Sequence, residues 1–436
     1  GDAILSGRPV RCGDPGCVHF RLELTERMKA LDCSLRDGGF LNDWAFSPEV
    51  ADQIIGHVAE AGVDFIEVGY LDAEIRTDSM GLPPEALRRM RRAAAGVPIS
   101  AMMRGSCAEP ERVLAERKGL IDLIRIPCAI QQPEPALPLA QRALAHGFRV
   151  SLNLTNISAS RPEDIRRVAA RIQGVEVVYL ADSRGAVLPE HVPELVAALR
   201  AHWSGPIGFH AHNNLGWARA NTEAAIQAGC TWIDGTLAGM GLGGRNLRID
   251  EALQLAGRQP TPALVEAVER DWVNAESALP RPLYIASAQA NISQDWVAPL
   301  VHQFGEPSFA RMLSRLPRLN WQTPEQVALW FHESAHLKPC VRLRVYQAQG
   351  RDHESAAAVF FHQVKPVHER HGALFLGREV HADGQTIARW LYPNEPSIRR
   401  IQAAVAEDPE TLKNREVRIN SGLHGVAHQE WVHAWP

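Results

Sequence analysis

The stretch GFHAHNNLGWARAN, Gly208 to Asn221, sets two histidines one residue apart, adds two asparagines and then opens a helical pattern. Residues two apart on a strand point to the same face, so His210 and His212 project together. A strand that ends in polar residues and runs into a helix is one unit of an α/β fold whose functional groups gather at the strands' carboxyl ends. The same unit recurs along the chain. The apolar or β-branched runs MKALDCSLRDGG, VDFIEVGY, VPISAMMRG, IDLIRIPCA, FRVSLNLTN, VEVVYLADSRG, PIGFHAHNN and CTWIDGTLAGMG alternate with amphipathic stretches such as SPEVADQIIGHVAEAG, in which Ser47 caps, Pro48 starts and Gly62 ends a helix. Eight such units between Met28 and Arg258 predict a parallel (β/α)₈ TIM barrel. A doubly wound open sheet is the alternative. The barrel is favoured because polar residues close nearly every run, and a barrel collects them on one rim.

After Gln259 the rhythm changes. Residues 259–337 read as a helical extension, with TPALVEAVERDWVNAESAL and TPEQVALWFHESAHL as examples. Residues 338–436 read in the order βαββαβ, a ferredoxin-like α+β module with a hairpin at Asp383-Gly384 and a helix interrupted near Pro366. Residues 1–27 are an N-terminal extension ahead of the barrel at 28–258.

Composition excludes several classes. The 436 residues are 45% hydrophobic and 22% charged with a net charge of -4, which offers no electrostatic case for nucleic acid or an anionic membrane. No apolar run approaches the roughly 20 residues that span a bilayer. Seven cysteines, of which only Cys12 and Cys17 lie close together, complete no zinc motif and suit a reducing cytoplasm.

The first run ends in LDCSLRDGG, which puts Arg36 and Asp37 at the rim beside the seventh run's His210 and His212. One carboxylate and two imidazoles make a three-ligand face for a divalent metal, Mn²⁺, Mg²⁺, Co²⁺ or Zn²⁺, with positions left for substrate. Arg36 can neutralise charge that develops on a substrate oxygen there. By itself an H-x-H is more often a surface pair, and an Arg-Asp a local ion pair. Their joint placement on one barrel rim points to metal. Arg104, Arg125 and Asn153 stand where a substrate carboxylate or hydroxyl would be held, with Glu67 as support for Arg36; internal hydrogen bonding within the barrel is the competing role for each.

LDCSLRDGG, GFHAHNNLGWARANTEAAIQAG and TWIDGTLAGMGLGGRN together resemble the 4-hydroxy-2-oxovalerate aldolase-like enzymes, within the DRE-TIM metallolyase family that includes hydroxymethylglutaryl-CoA lyase and isopropylmalate synthase. The resemblance covers most of Met28 to Arg258. It implies that Asp37, His210 and His212 bind the metal, that Asn246 is a further ligand, and that Arg36 stabilises an enolate. It also implies that the loop holding Gly239, Gly241, Gly243 and Gly244 closes over the site. One departure stands out: where the aldolases carry a histidine base, this chain has Phe40, which leaves Tyr70, Asp182 or a metal-activated hydroxide to move protons. The aldolases' C-terminal tyrosine has no clear match in RPLYIASAQANISQDW, although Tyr284 is near. The implied reaction is aldol-type carbon-carbon bond making or breaking between a pyruvate-like 2-oxo acid and an aldehyde. Claisen condensation with an acyl-CoA, non-haem iron oxygenation and a non-catalytic metal-binding scaffold are the alternatives.

VRLRVYQAQG, VKPVHERHGALFLGREVHADGQ and AEDPETLKNR resemble the NIPSNAP-like group of dimeric α/β-barrel domains, which implies a homodimer built through the C-terminal sheet. His362, His368, His371 and His424 lie in this module without ligand-like spacing and are read as packing and surface residues. Trp431 and Trp435, near the chain end, are expected to seek cover.

Overall fold

The computed structural model of the protein describes residues 27–243, 245–261, 279–333, 338–347, 359–380, 385–420 and 429–434. Eight parallel strands form the first part: β1 (Lys29–Asp32), β2 (Phe65–Leu71), β3 (Ile99–Met103), β4 (Leu123–Ala129), β5 (Arg149–Thr155), β6 (Val177–Asp182), β7 (Ile207–Ala211) and β8 (Trp232–Gly235). Each pairs with its sequence neighbours, and β1 pairs with both β2 and β8, so the sheet closes into a barrel. A two-residue strand, Met80–Gly81, adds beside the rim end of β2.

Strand alternation divides the side chains between two layers. In β6, Val178 and Leu180 pack outward among the helices, whereas Val177 and Tyr179 point into the barrel. The interior floor is apolar, built from Leu31, Cys33, Phe65, Leu123, Val177, Tyr179 and Trp232. Two residues further along their strands the same inward faces carry Glu67, Arg125 and Asp234, with His210 two beyond Gly208. A dry plug thus supports a charged layer. Gly208 is required by this arrangement, since a Cβ there would lie 2.5 Å from the Tyr179 ring.

The helices form where their caps and periodicity direct. Ser47 accepts a hydrogen bond from the Val50 amide at 3.3 Å, Pro48 opens the helix Pro48–Glu60, and Ala51, Ile54, Ile55 and Val58 form its buried stripe. The first apolar run is shorter as a strand than its sequence suggests. Asp32 accepts from the Ser34 amide at 3.1 Å and from Ser34 Oγ at 2.6 Å, which turns the backbone into the short helix Ser34–Asp37. Arg36 and Asp37 therefore stand above the strand on a turn of helix.

The extension contains helices Arg281–Gln289, Val297–Phe304, Glu306–Leu313 and Pro324–His332 around Tyr284, Phe309, Trp321, Trp330 and Phe331. Most of TPALVEAVERDWVNAESAL lies outside the described residues. The smaller C-terminal sheet is antiparallel: β9 (Cys340–Gln347), β10 (Leu374–Val380), β11 (Gln385–Tyr392) and β12 (Gln429–Ala434), in the order β10-β11-β9-β12. The expected interruption near Pro366 is a π-helical turn, Phe360–Val364, running straight into the helix Lys365–Arg370. The Asp383-Gly384 turn, His424 and Trp435 lie outside the described residues.

One face of this sheet packs Trp390 and Tyr392 against Phe360, Val367 and Ile401 of the module's own helices. On the other face Leu374 and Leu391 join the core of the helical extension. That face was expected to await a second chain, and the extension already covers part of it. His368 stacks on Trp390 with its Nδ1 2.9 Å from the Val364 carbonyl, His371 pairs with Asp408 at 2.8 Å, and His362 is exposed. No helix among the described residues is long and apolar enough to cross a membrane.

Candidate active site

Asp37, His210 and His212 meet at the carboxyl end of the barrel. One ligand atom from each lies within 4.8 Å of the other two, and all three residues are buried. His210 Nε2 is 3.2 Å and His212 Nε2 3.8 Å from Asp37 Oδ2. The two-residue period turns both rings inward while Ala211 between them packs outward. Asn246 reaches the same carboxylate, donating from Nδ2 to Asp37 Oδ2. Gly241 makes room for it, as a Cβ there would lie 2.7 Å from Asn246 Oδ1.

These donors suit a divalent cation. His210 Nε2, 3.2 Å from Asp37, and Asn246 Oδ1 are buried and make no hydrogen bond, and His212 turns its Nε2 toward the same carboxylate. Leaving a buried polar atom unsatisfied costs about 1–3 kcal/mol, and a cation among nitrogen and oxygen donors removes that cost. Burial pushes the His212 imidazole down to about 4, which keeps it neutral and able to coordinate. Burial acts against ionised Asp37, but Arg36 and the two imidazoles hold its carboxyl far below the usual carboxylate range. Cys33, His210 and Asp234 also lie within 4.8 Å of one another. They make a poorer set, because burial drives the Cys33 thiol well above its ordinary value and Asp234 is committed to Arg125.

A closed ring of buried contacts supports the site. Arg36 Nε meets Glu67 Oε2 at 2.8 Å, Glu67 Oε2 meets Arg125 Nη1 at 2.8 Å, and Arg125 Nη2 meets Asp234 Oδ2 at 2.5 Å. Asp234 Oδ2 then lies 3.1 Å from His210 Nδ1, His210 faces Asp37, and Asp37 Oδ1 accepts from Arg36 Nη1. Buried charges survive only when paired, and here each has partners of opposite sign. Arg125 and Glu67 are fully buried in this ring, with Arg125 also lying over the Tyr179 ring at 4.4 Å. The contact lets Glu67 support Arg36.

The remaining candidates divide. Arg104 lies over the Tyr70 ring at 4.1 Å at the mouth, half-buried and with no ion pair among the described residues. Tyr70 packs edge-on to Trp44 within a small apolar cluster of Trp44, Met80 and Met102, with Phe40 against it. Burial raises the Tyr70 phenol, so it keeps its proton. Asn153 is buried on the inner wall, its Oδ1 accepting from Ser151 Oγ at 2.8 Å. Asp182 departs from expectation. It has the outward parity of Val178 and Leu180, and its two oxygens accept from the amides of Ala186 at 3.1 Å and Val187 at 3.0 Å. Burial pushes it up to about 6, and the two amides it holds lie in the loop after β6.

Two residues at or around the site were not singled out from sequence. Asp234 had a readable signal, since it shares the inward parity of Trp232. Arg184 had none. Arg184 is buried and donates to the carbonyls of Asn291 and Trp321, the latter at 2.7 Å, fastening the extension to the barrel.

The HMGL-like family model matches residues 131–279. The chain is 32% identical over 236 residues to the oxaloacetate decarboxylase of Mycobacterium tuberculosis, covering 52% of this chain and 70% of that one. It is 32% identical over 278 residues to the 4-hydroxy-2-oxovalerate aldolase of Pelotomaculum thermopropionicum, covering 60% and 80%. Among solved structures, the N-terminal domain of a proposed aldolase from Bacteroides vulgatus superposes with a TM-score of 0.55 at 28% identity, covering 63% of this chain and 96% of that one. The carboxyl transferase domain of Rhizobium etli pyruvate carboxylase, at 19% identity and a TM-score of 0.55 over 71% and 60%, shares the fold. With a closed parallel barrel, an Asp-His-His donor set at its rim and these relatives, the chain belongs to the HMGL-like family and is a metal-dependent carbon-carbon lyase of the DRE-TIM type.

Proposed function

We propose that the protein is an aldolase that makes or breaks the bond between the enolate of a pyruvate-like 2-oxo acid and an aldehyde. The observation that carries this reading is the set of orphaned buried donors beside Arg36. Asp37, His210 and His212, with Asn246 Oδ1, would hold the divalent ion. Bound there, it would supply Lewis-acid polarisation of the 2-oxo acid's oxygens. Arg36 uses Nε on Glu67 and Nη1 on Asp37, which leaves Nη2 to meet negative charge on the enolate oxygen. Arg104 is placed to take a substrate carboxylate, Asn153 to bond a substrate oxygen from the inner wall, and Tyr70 to donate to one. Phe40, Trp44, Met80 and Met102 offer an apolar wall to the aldehyde's side chain.

Decarboxylation of a 2-oxo diacid is the second reading. Phe40 favours it, because releasing carbon dioxide to leave an enolate requires no base on a substrate hydroxyl, and one relative is an oxaloacetate decarboxylase. Pyruvate release measured with Mn²⁺ and either 4-hydroxy-2-oxo acids or oxaloacetate separates the two. Cleavage of a hydroxy acid supports the aldolase; turnover of oxaloacetate alone supports the decarboxylase. A strict need for acyl-CoA or for oxygen overturns both.

We also divide the chain at 28–258, 259–337 and 338–436, and read the last part as ferredoxin-like with a NIPSNAP-like pairing role. The βαββαβ order and the antiparallel arrangement β10-β11-β9-β12 support the former. Light scattering at micromolar concentration tests the homodimer; a monomer there removes it.

A further inference from the structure

If the enolate's charge falls beside Arg36, the position of that arginine decides how well it is met. The helix that carries Arg36 cannot fix it alone, because Ser34–Asp37 is a single turn and one turn is not stable by itself in water. Two contacts from outside secure the turn. Ser34 Oγ donates to Asp32 Oδ2 at 2.6 Å and accepts from the Leu237 amide at 2.8 Å. The second contact comes from Trp44, whose indole Nε1 donates to the Arg36 carbonyl at 2.8 Å.

Trp44 reaches Arg36 through a strained backbone. Asp43 and Trp44 both lie in the left-handed region, with φ of 53° and 58°, which a bulky side chain rarely adopts. Such strain persists only where the surroundings hold it, and it gathers at functional sites. Here the Trp44 amide donates to the Gly39 carbonyl at 2.9 Å and the Asn42 amide to the same oxygen at 3.2 Å, so the chain doubles back on the 3-10 turn Gly38–Leu41. The indole then lies on Gly39, where any Cβ would run into its Cδ1 and Nε1. Two rings clamp it from the sides: Phe40, with centroids 4.7 Å apart, and Tyr70, at 5.4 Å and nearly perpendicular. Trp44 is buried among them. Apolar packing alone would be met by phenylalanine or leucine. Of the large apolar side chains, only the indole also carries an N–H to this carbonyl.

We propose that Trp44 is a positioning residue whose indole N–H holds the Arg36 carbonyl, so that the arginine keeps a guanidinium nitrogen turned toward the enolate oxygen. This deepens the function proposed above and rests on Arg36 meeting the enolate. The guanidinium is planar and rigid, with Nε on Glu67 and Nη1 on Asp37. Glu67 stands on β2, whereas Asp37 stands on the same turn as Arg36. A shift of that turn therefore changes the angle between the two contacts, and with it the direction of Nη2. Trp44 fixes the turn at Arg36 itself, one peptide from the candidate metal ligand.

The probe is oxalate, a planar dianion with the shape and charge of the pyruvate enolate. It is titrated calorimetrically, with Mn²⁺ present, into wild type, W44F, G39A, R36K and W44F/R36K, beside titrations of Mn²⁺ alone and melting curves. W44F keeps a ring and removes the donor, whereas G39A keeps the donor and displaces it. Each is expected to weaken oxalate about 10-fold, with Mn²⁺ affinity within about threefold of wild type. In the R36K background W44F should cost no more than about threefold, because the residue it acts through is already gone. If wild type cleaves 4-hydroxy-2-oxo acids, W44F should lower kcat about 10-fold and leave KM nearly unchanged, since the charge that Arg36 meets develops in the transition state. Oxalate binding by W44F within about threefold of wild type overturns the proposal. An equal loss in both backgrounds also overturns it and makes Trp44 a support of the fold alone; lost Mn²⁺ binding overturns it in favour of the metal site. If W44F does not fold, G39A and G39A/R36K are read by the same criteria. A wild type that binds no oxalate removes the enolate role of Arg36 and the proposal with it. A wild type that binds oxalate and cleaves no hydroxy acid overturns the aldolase reading and leaves the role of Trp44 standing.

Discussion

His210 Nδ1 lies 3.1 Å from Asp234 Oδ2, and that same oxygen is 2.5 Å from Arg125 Nη2. The arginine keeps the carboxylate ionised, so its partner nitrogen on His210 must be the one bearing hydrogen. Nε2 is then the nitrogen turned toward Asp37, the one a metal would take in place of a proton, which the two flanking carboxylates otherwise favour.

Asp234→Asn should therefore weaken metal binding without removing a ligand. An amide can accept or donate, so the ring loses its fixed tautomer, and affinity should fall about 10- to 100-fold. Calorimetric titration of the metal-free variant with Mn²⁺ measures it. An unchanged affinity would mean that packing alone orients His210.

Arg36→Lys should keep the fold and bind the metal, yet turn over about 100-fold more slowly or worse. Arginine holds Glu67 and Asp37 with two nitrogens and keeps a third for the enolate. An ammonium at the end of a flexible stem cannot serve all three directions. Steady-state rates beside melting curves separate this effect from unfolding; near-normal turnover would leave Arg36 a purely structural task.

Asp32 supplies a pH test away from the metal. Burial pushes its carboxyl up to about 7, with the bonds from Ser34 only partly offsetting it. A folded-state value above the unfolded one means that the unfolded chain ionises first. Stability from this group is complete below about pH 4 and declines as pH rises to about 7, by up to about 4 kcal/mol. Asp32→Asn should flatten that decline in the metal-free protein. Urea denaturation from pH 4 to 8 gives the slopes, and parallel curves for the two proteins would refute the assignment.

How much of this was legible in the chain depends on which residues had a periodic frame. The barrel was readable because each strand-helix unit repeats the same pattern, and His210 and His212 because a period of two sends both to one side. The same alternation placed Glu67 and Arg125 inward, but nothing in one strand's sequence reveals Asp234 meeting them across the barrel. Asp182 shows the cost of ignoring parity: as the last polar residue of its run it resembled a rim group, yet Tyr179 points inward and so Asp182 points out. The C-terminal sheet was readable strand by strand, whereas its cover was not, because Leu374 and Leu391 find their partners in a separate stretch of helices.

Trp330 tests that last contact. It is fully buried, lies edge-on to Trp321 with centroids 5.3 Å apart, and donates from Nε1 to the Gly372 carbonyl at 3.1 Å. Trp321 in turn gives its carbonyl to Arg184 at the barrel mouth, whose own carbonyl accepts from Gln294, so a single line of contacts joins the C-terminal module to the barrel. Trp330→Ala opens a cavity and strands a buried carbonyl, and should cost about 3–5 kcal/mol in the unfolding of this part of the chain. Trp330→Phe restores most of the volume without the donor, so it should cost clearly less. Denaturation followed by tryptophan fluorescence reads the stability, and hydrogen exchange shows where it is lost. Loosening should extend through residues 281–333 and the C-terminal sheet while β1 to β8 stay protected. Loosening confined to the C-terminal sheet would mean that the extension takes its stability from the barrel alone.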